Sequence, residues 1–191
     1  MYKYFLLAVS LLALSLNVVA CNAKPEVDIP MFSVEETINR EASRGDFEAQ
    51  AVKASGIVSE LGRDDYPLTL FLTGEDSLKT YLADNNLSEE AFLASPKLAE
   101  FYRSQLVYAD IDIVGIRSGP VGTSKTFESA AGSNVTITKV RDDPDSLATR
   151  NGEVNGVPAS LWCHEDYNIG PNDPFGRICY TDAPIVKDFV W

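Results

Sequence analysis

The stretch YPLTLFLTGEDSLKTYL, residues 66–82, switches from a two-residue period to helical spacing within a few positions. Leu68, Leu70 and Leu72 share one face of a predicted strand, while Thr69 and Phe71 share the other, so one side is apolar and the second mixed. Thr73 is then expected to cap a helix, its hydroxyl accepting from the backbone N–H near Asp76. Gly74 relaxes the bend, and Glu75 and Asp76 place negative charge at the positive helix end. Leu78, Tyr81 and Leu82 follow at helical spacing. A strand that delivers directly into an amphipathic helix argues for an α+β chain. By itself it names no chemistry.

Outward from that junction, the 191-residue chain is 45% hydrophobic and 23% charged, the composition of a folded protein with one principal domain. A formal net charge of −12 and a pI near 4.4 leave no basic stripe to neutralise phosphates, so nucleic acid is not an expected partner. Residues 1–20 are expected to be a lipoprotein signal peptide. Lys3 supplies a short positive region, and the almost wholly apolar run that follows has the length of a signal core. It ends Val18-Val19-Ala20-Cys21, which resembles a bacterial lipobox, and this assigns Cys21 as the lipidated residue. An ordinary secretory signal cut after Ala20 is the competing reading. Three cysteines leave one thiol odd, and acylating Cys21 removes it. Durable anchoring takes more than one acyl chain, at about 0.8 kcal/mol per buried methylene. Residues 21–31, with Pro25 and Pro30, read as lipidated cysteine and tether, reaching at most roughly 30 Å from the membrane. Residues 32–191 are expected to form a single domain.

Within that domain, Ser33-Val34-Glu35-Glu36 has capping-box form and Gly45 is a natural stop. Ala51, Val52, Ala54, Ile57, Val58 and Leu61 describe a second amphipathic segment interrupted at Gly56. Asp64 and Asp65 read as solvated turn residues. Ser88 opens a short segment, and Ser95-Pro96 is expected to start a helix carrying Leu98, Phe101, Tyr102, Gln105 and Leu106 on its apolar face. From Val107 the period reads as two, so Ile111, Ile113 and Ile116 predict a strand near Asp110 and Asp112. Phe127 and the run 135–138 give further strands, Asn155-Gly156 a tight turn, and residues 159–162 and 177–181 two strands joined by a Pro- and Gly-rich loop. Cys163 and Cys179 lie at the ends of that loop. In an exported protein they are expected to form a disulfide. A partial zinc site with His164 is the alternative, but the spacing lacks a paired ligand motif.

Several separated stretches resemble, in order, a fasciclin (FAS1) domain over about residues 47–186. LTLFLTGEDSLKTYL is similar to the family's first hallmark, and LSEEAFLASPKLAEFYRSQLVYADI to the helical segment that ends in a Tyr-His pair. Val154-Asn155-Gly156 resembles the turn before the second hallmark, and GRICYTD that hallmark itself. Tyr108 matches the family tyrosine. Ala109 stands where the histidine is usual, Cys179 where the second hallmark has its histidine, and Phe175 in place of an asparagine, so adhesion attributed to the Tyr-His pair does not transfer intact.

The resemblance implies an α+β fold, a fasciclin-like twisted β-sandwich or wedge with packed helices. It also implies extracellular or surface binding and adhesion rather than catalysis. The residue inventory points the same way: no Gly-x-Ser-x-Gly elbow, HExxH pair or phosphate-cradling loop is present, and the one histidine, His164, has no nucleophile nearby in sequence. The run Asp142-Asp143-Pro144-Asp145 lacks the glycine and distal glutamate of a calcium loop. The expectation is therefore a lipid-anchored lipoprotein of a bacterial cell envelope, at the outer membrane or cell surface if two membranes are present. It would bind an envelope or extracellular protein or glycan without cofactor or metal. Phe101, Tyr102 and Tyr108 form the candidate binding surface. The alternative function is a carrier of an apolar small molecule such as a carotenoid or lipid, with those same aromatic residues lining its pocket.

Overall fold

A computed structural model describes residues 33–61, 67–142, 151–161, 163–165, 176–186 and 188–191. The expected signal peptide, Cys21, the tether, Asp64, Asp65 and the run 143–145 lie outside them. The chain opens with α1 (Val34–Arg44), held by a full capping box in which Ser33 and Glu36 exchange bonds of 2.9 and 3.1 Å and closed by Gly45 at φ 98°. Helix α2 (Phe47–Ala54) starts at Asp46, whose side chain accepts from Ala49 N at 2.8 Å. At Gly56, with φ 79°, the amphipathic run breaks before the short α3 (Val58–Leu61).

Strand β1 (Leu68–Leu72) is buried on both faces, more completely than its mixed second face suggests. It lies between β2 (Leu106–Val107) and β8 (Gly176–Tyr180), in a sheet of order β2-β1-β8-β7, where β7 is His164–Glu165. Leu68, Leu70, Leu72, Leu106 and Ile178 face one core, shared with α1 to α3, α4 (Glu75–Asp84), α5 (Glu89–Leu93) and α6 (Leu98–Arg103). On the opposite face, Phe71, Val107 and Cys179 join a second core with Val135, Ile137, Val154 and Ala159 of the other sheet. That sheet has the order β3-β4-β5-β6, formed by Ser124–Glu128, Asn134–Lys139, Gly152–Val154 and Val157–Ala159. The mixed α+β class is thus present, with one sheet between the helices and the second core.

The β1–β8 pairing is parallel, in register from Leu68↔Gly176 to Leu72↔Tyr180, and it joins segments more than 100 residues apart. Gly176 lets α1 approach: a Cβ there would meet Val34 Cγ2 at 2.5 Å. Continuing the antiparallel β7–β8 register from His164↔Ile178 places Cys163 opposite Cys179. Their Cα atoms are 4.3 Å apart and the two are disulfide-bonded, the pairing the sequence led us to expect.

Three sequence expectations change here. The helix expected to run from Ser95-Pro96 to Leu106 spans only Leu98–Arg103 after Lys97, and Leu106 opens β2. The Ile111 to Ile116 segment is not a strand. Ile113–Ser118 forms helix α7, because Asp112 Oδ1 accepts from Gly115 N at 2.7 Å and so supplies an N-cap. Ile113 and Ile116 then share the buried face that a three-residue spacing gives a helix. The third change is the partner of β8. It is His164–Glu165, whereas Val157–Ala159 pairs with β5 and touches the β8 region only through an Ala159↔Thr181 bridge.

Candidate functional site

Of the three aromatic residues expected to form a binding surface, two are core. Phe101 and Tyr102 are fully buried. Phe101 stacks near Tyr81 and meets Phe92, Phe189 and Trp191 at centroid distances of 6.2, 5.6, 5.3 and 4.9 Å. The helical stripe that carries them faces inward because α6 packs against α2, so neither can present a ring to a partner in this fold. Tyr108, directly after β2, is half-buried.

Tyr108 belongs to a polar group contributed by three elements. Its hydroxyl donates to Glu60 Oε2 at 3.3 Å, and Arg103 reaches the same carboxylate with Nε at 3.1 and 3.2 Å and Nη2 at 2.5 Å. Glu60 comes from α3, Arg103 from the last turn of α6, and Tyr108 from just after β2. The side chains of Arg103 and Glu60 are 43% and 26% exposed, which makes this a solvated ion pair of modest energy, about 1 kcal/mol or less. Its geometry offers a planar guanidinium and a phenol at the surface. It offers no nucleophile activated by a base. Among the described residues, no group of three or more His, Cys, Asp or Glu is arranged to hold a metal ion.

The second unusual group is buried, and nothing in the motif reading pointed to it. Glu48, on α2, is 2% exposed. Its carboxylate accepts from Thr73 N at 2.8 and 3.1 Å and from Gly74 N at 2.6 Å. The cap expected from the Thr73 side chain is not made: α4 has Gly74 as N-cap with no side-chain cap bond, and Thr73 Oγ1 is buried without a partner. Glu75 braces the same junction from the other side, its Oε2 accepting from Phe47 N at 3.4 Å. Burial pushes the Glu48 carboxyl up to about 7, the backbone bonds from Thr73 and Gly74 oppose that rise, and Asp46 adds to it. The signal was present in the spacing. Glu48 lies three and four residues before Ala51 and Val52, on the stripe that faces the core.

No family model matches this chain, and no curated protein matches it. Tyr108 with its two charged neighbours is therefore the surface feature, and Glu48 the buried one, on which function has to be argued. The described helices include none long and apolar enough to cross a membrane.

Proposed function

We propose that this chain is a lipid-anchored envelope lipoprotein whose single fasciclin-like domain, a twisted sandwich or wedge of two sheets with helices on one side, binds a protein or glycan outside the cell. The observation that carries the reading is the pairing of the two hallmark-like stretches. LTLFL and GRICY lie side by side in parallel, and each feeds the cores on both faces of their sheet. The Val154-Asn155-Gly156 stretch supports it as well, turning between β5 and β6 with Asn155 at φ 52° and Gly156 at φ 71°. Tyr108, with Glu60 and Arg103, is the surface through which contact is made. Binding rather than catalysis fits a group that has hydrogen-bond donors and an ion pair but no activated nucleophile.

A carrier role for an apolar ligand draws less support. Two of the three aromatic residues that would line its pocket, Phe101 and Tyr102, are filled in by the core around them.

Cys21→Ala is expected to move the protein from the membrane fraction to the soluble fraction of the source cell, read by fractionation and blotting. Retention in membranes would refute the anchor. Cells displaying the wild-type chain are expected to adhere to immobilised matrix protein or glycan, with Tyr108→Ala lowering that adhesion several-fold. Equal adhesion by both would remove Tyr108 from the contact.

A further inference from the structure

Glu48 ties two distant parts of the chain together. Its helix, α2, is joined through one carboxylate to the backbone of Thr73 and Gly74, where β1 ends and α4 begins, 25 and 26 residues away. We propose that Glu48 is a proton-dependent latch: protonated, it holds α2 against the β1–α4 junction, and loss of its proton loosens that junction.

The argument starts from what faces the carboxyl. On its own helix the neighbour is Asp46, an acid. From α6 comes Tyr102 and from β8 Tyr180, and both phenols are pushed up by burial first and by the Glu48 charge second. The cations of the surrounding helices are engaged elsewhere: on α4, Lys79 is held by Glu75 at 2.6 Å. On α1, Arg40 and Arg44 engage Glu41 at 2.9 and 3.1 Å, and Lys79 also lies 3.6 Å from Glu89 of α5. Each nearby cation is thus matched to another carboxylate. Among the described residues none bridges Glu48.

Among the described residues, two hydroxyls beside the carboxylate do not serve it. Tyr102 Oη and Thr73 Oγ1 are both buried without partners. Among the described residues, two backbone amides compensate the charge of a carboxylate withdrawn from water, and a protonated carboxyl needs less. Burial favours the neutral acid, and the two amide bonds, which favour the ion, offset it only in part.

The linkage follows from the sign of that preference. A carboxyl raised in the folded state, here from 4.5 to about 7, contributes stability that is fully present below the unfolded value and is lost as pH rises through the folded value. Across that window the folding equilibrium constant should fall by up to roughly 300-fold on account of this group alone. The direction is opposite to that of an exposed, ion-paired acid such as Glu75, which Lys79 holds below the usual carboxylate range.

The test uses the full chain. Carbon-13 NMR of the labelled Glu48 carboxyl is expected to titrate near neutral pH. A midpoint in the ordinary range, about 4.3, would overturn the latch. Hydrogen exchange at the Thr73 and Gly74 amides, corrected for the intrinsic rate, is expected to lose at least tenfold protection between pH 6 and about pH 8 relative to the Leu70 amide. Unchanged relative protection would overturn it too. In Glu48→Gln the pH dependence at both amides is expected to vanish, whereas a wild-type-like dependence in that variant would assign the effect to another group. Should Glu48→Gln fail to fold, the carboxyl titration of the wild-type chain decides alone.

Discussion

Asn155 shows how much one side chain can hold together. It occupies the first central position of the β5–β6 turn in the left-handed region, with φ 52°, where Asn is tolerated far better than most residues. Its Oδ1 accepts from Thr136 N at 2.8 Å, and its Nδ2 donates to Asn134 O at 3.1 Å and Ile185 O at 3.3 Å. One residue therefore pins the turn to β4 and to the segment after β8. Asn155→Ala is expected to cost about 2–3 kcal/mol, from the lost bonds together with backbone strain. Asn155→Gly, which removes the bonds and keeps the backbone at ease, is expected to cost less. Urea titration of the three proteins would separate the two contributions, and equal midpoints for the Ala and Gly variants would show that strain plays no part. The turn was legible in the sequence because Asn-Gly has a local mechanism. The Glu48 brace was not, because its partners are backbone amides in a distant segment and only folding brings them within reach. Thr73 looked like the cap on local grounds, but its hydroxyl caps nothing, and Glu48 instead bonds the two amides just before the helix.

Among the elements, those with local caps were the readable ones. α1, with its capping box, and α5, started by Ser88 accepting from Ala91 N at 3.1 Å, begin where the sequence predicts. α7 was misread, since isoleucines at 111, 113 and 116 satisfy a two-residue period as far as 113 and a helical one from there. Asp112 decides between them by capping, a choice that hydrophobic spacing alone does not encode. The short β7 is a different case. Two residues of strand offer little pairing, so the covalent bond between Cys163 and Cys179 is what fixes them beside β8. Closing a loop of sequence separation 16 restricts the unfolded chain by about 3 kcal/mol. The paired change Cys163→Ser and Cys179→Ser is expected to lower stability by about that much, measured by urea titration against the wild-type protein with and without reductant. A reduced wild type as stable as the oxidised one would show that the bridge adds nothing. The pairing itself was legible from cysteine arithmetic, with the two cysteines at the ends of one loop.

For the whole molecule, the order of strands is the part no local pattern could give. β1 lies beside β8 although more than 100 residues separate them, and its two faces serve different cores. The composition allowed a single α+β domain, but the parallel pairing depends on which distant strand best completes both faces of β1. The helical core is closed from a still more remote part of the chain. Trp191 packs 4.9 Å from Phe101 and 5.0 Å from Phe92, Phe189 lies 5.3 Å from Phe101, and the two are 4.8 Å from each other. Trp191 Nε1 donates to Tyr81 Oη at 3.3 Å, and Lys97 Nζ donates to Val190 O at 2.7 Å. Aromatic contacts of this kind contribute about 0.5–1.5 kcal/mol each beyond area burial. Because both residues are only partly buried, each alanine substitution is expected to cost about 2 kcal/mol, below the range for a fully buried aromatic. The pair touch each other and share Phe101, so the double variant should cost measurably less or more than the sum of the singles. A double-mutant cycle in urea reads that coupling directly. Strict additivity would mean that Phe189 and Trp191 dock independently, whereas coupling would make the segment a single closure over the helical core.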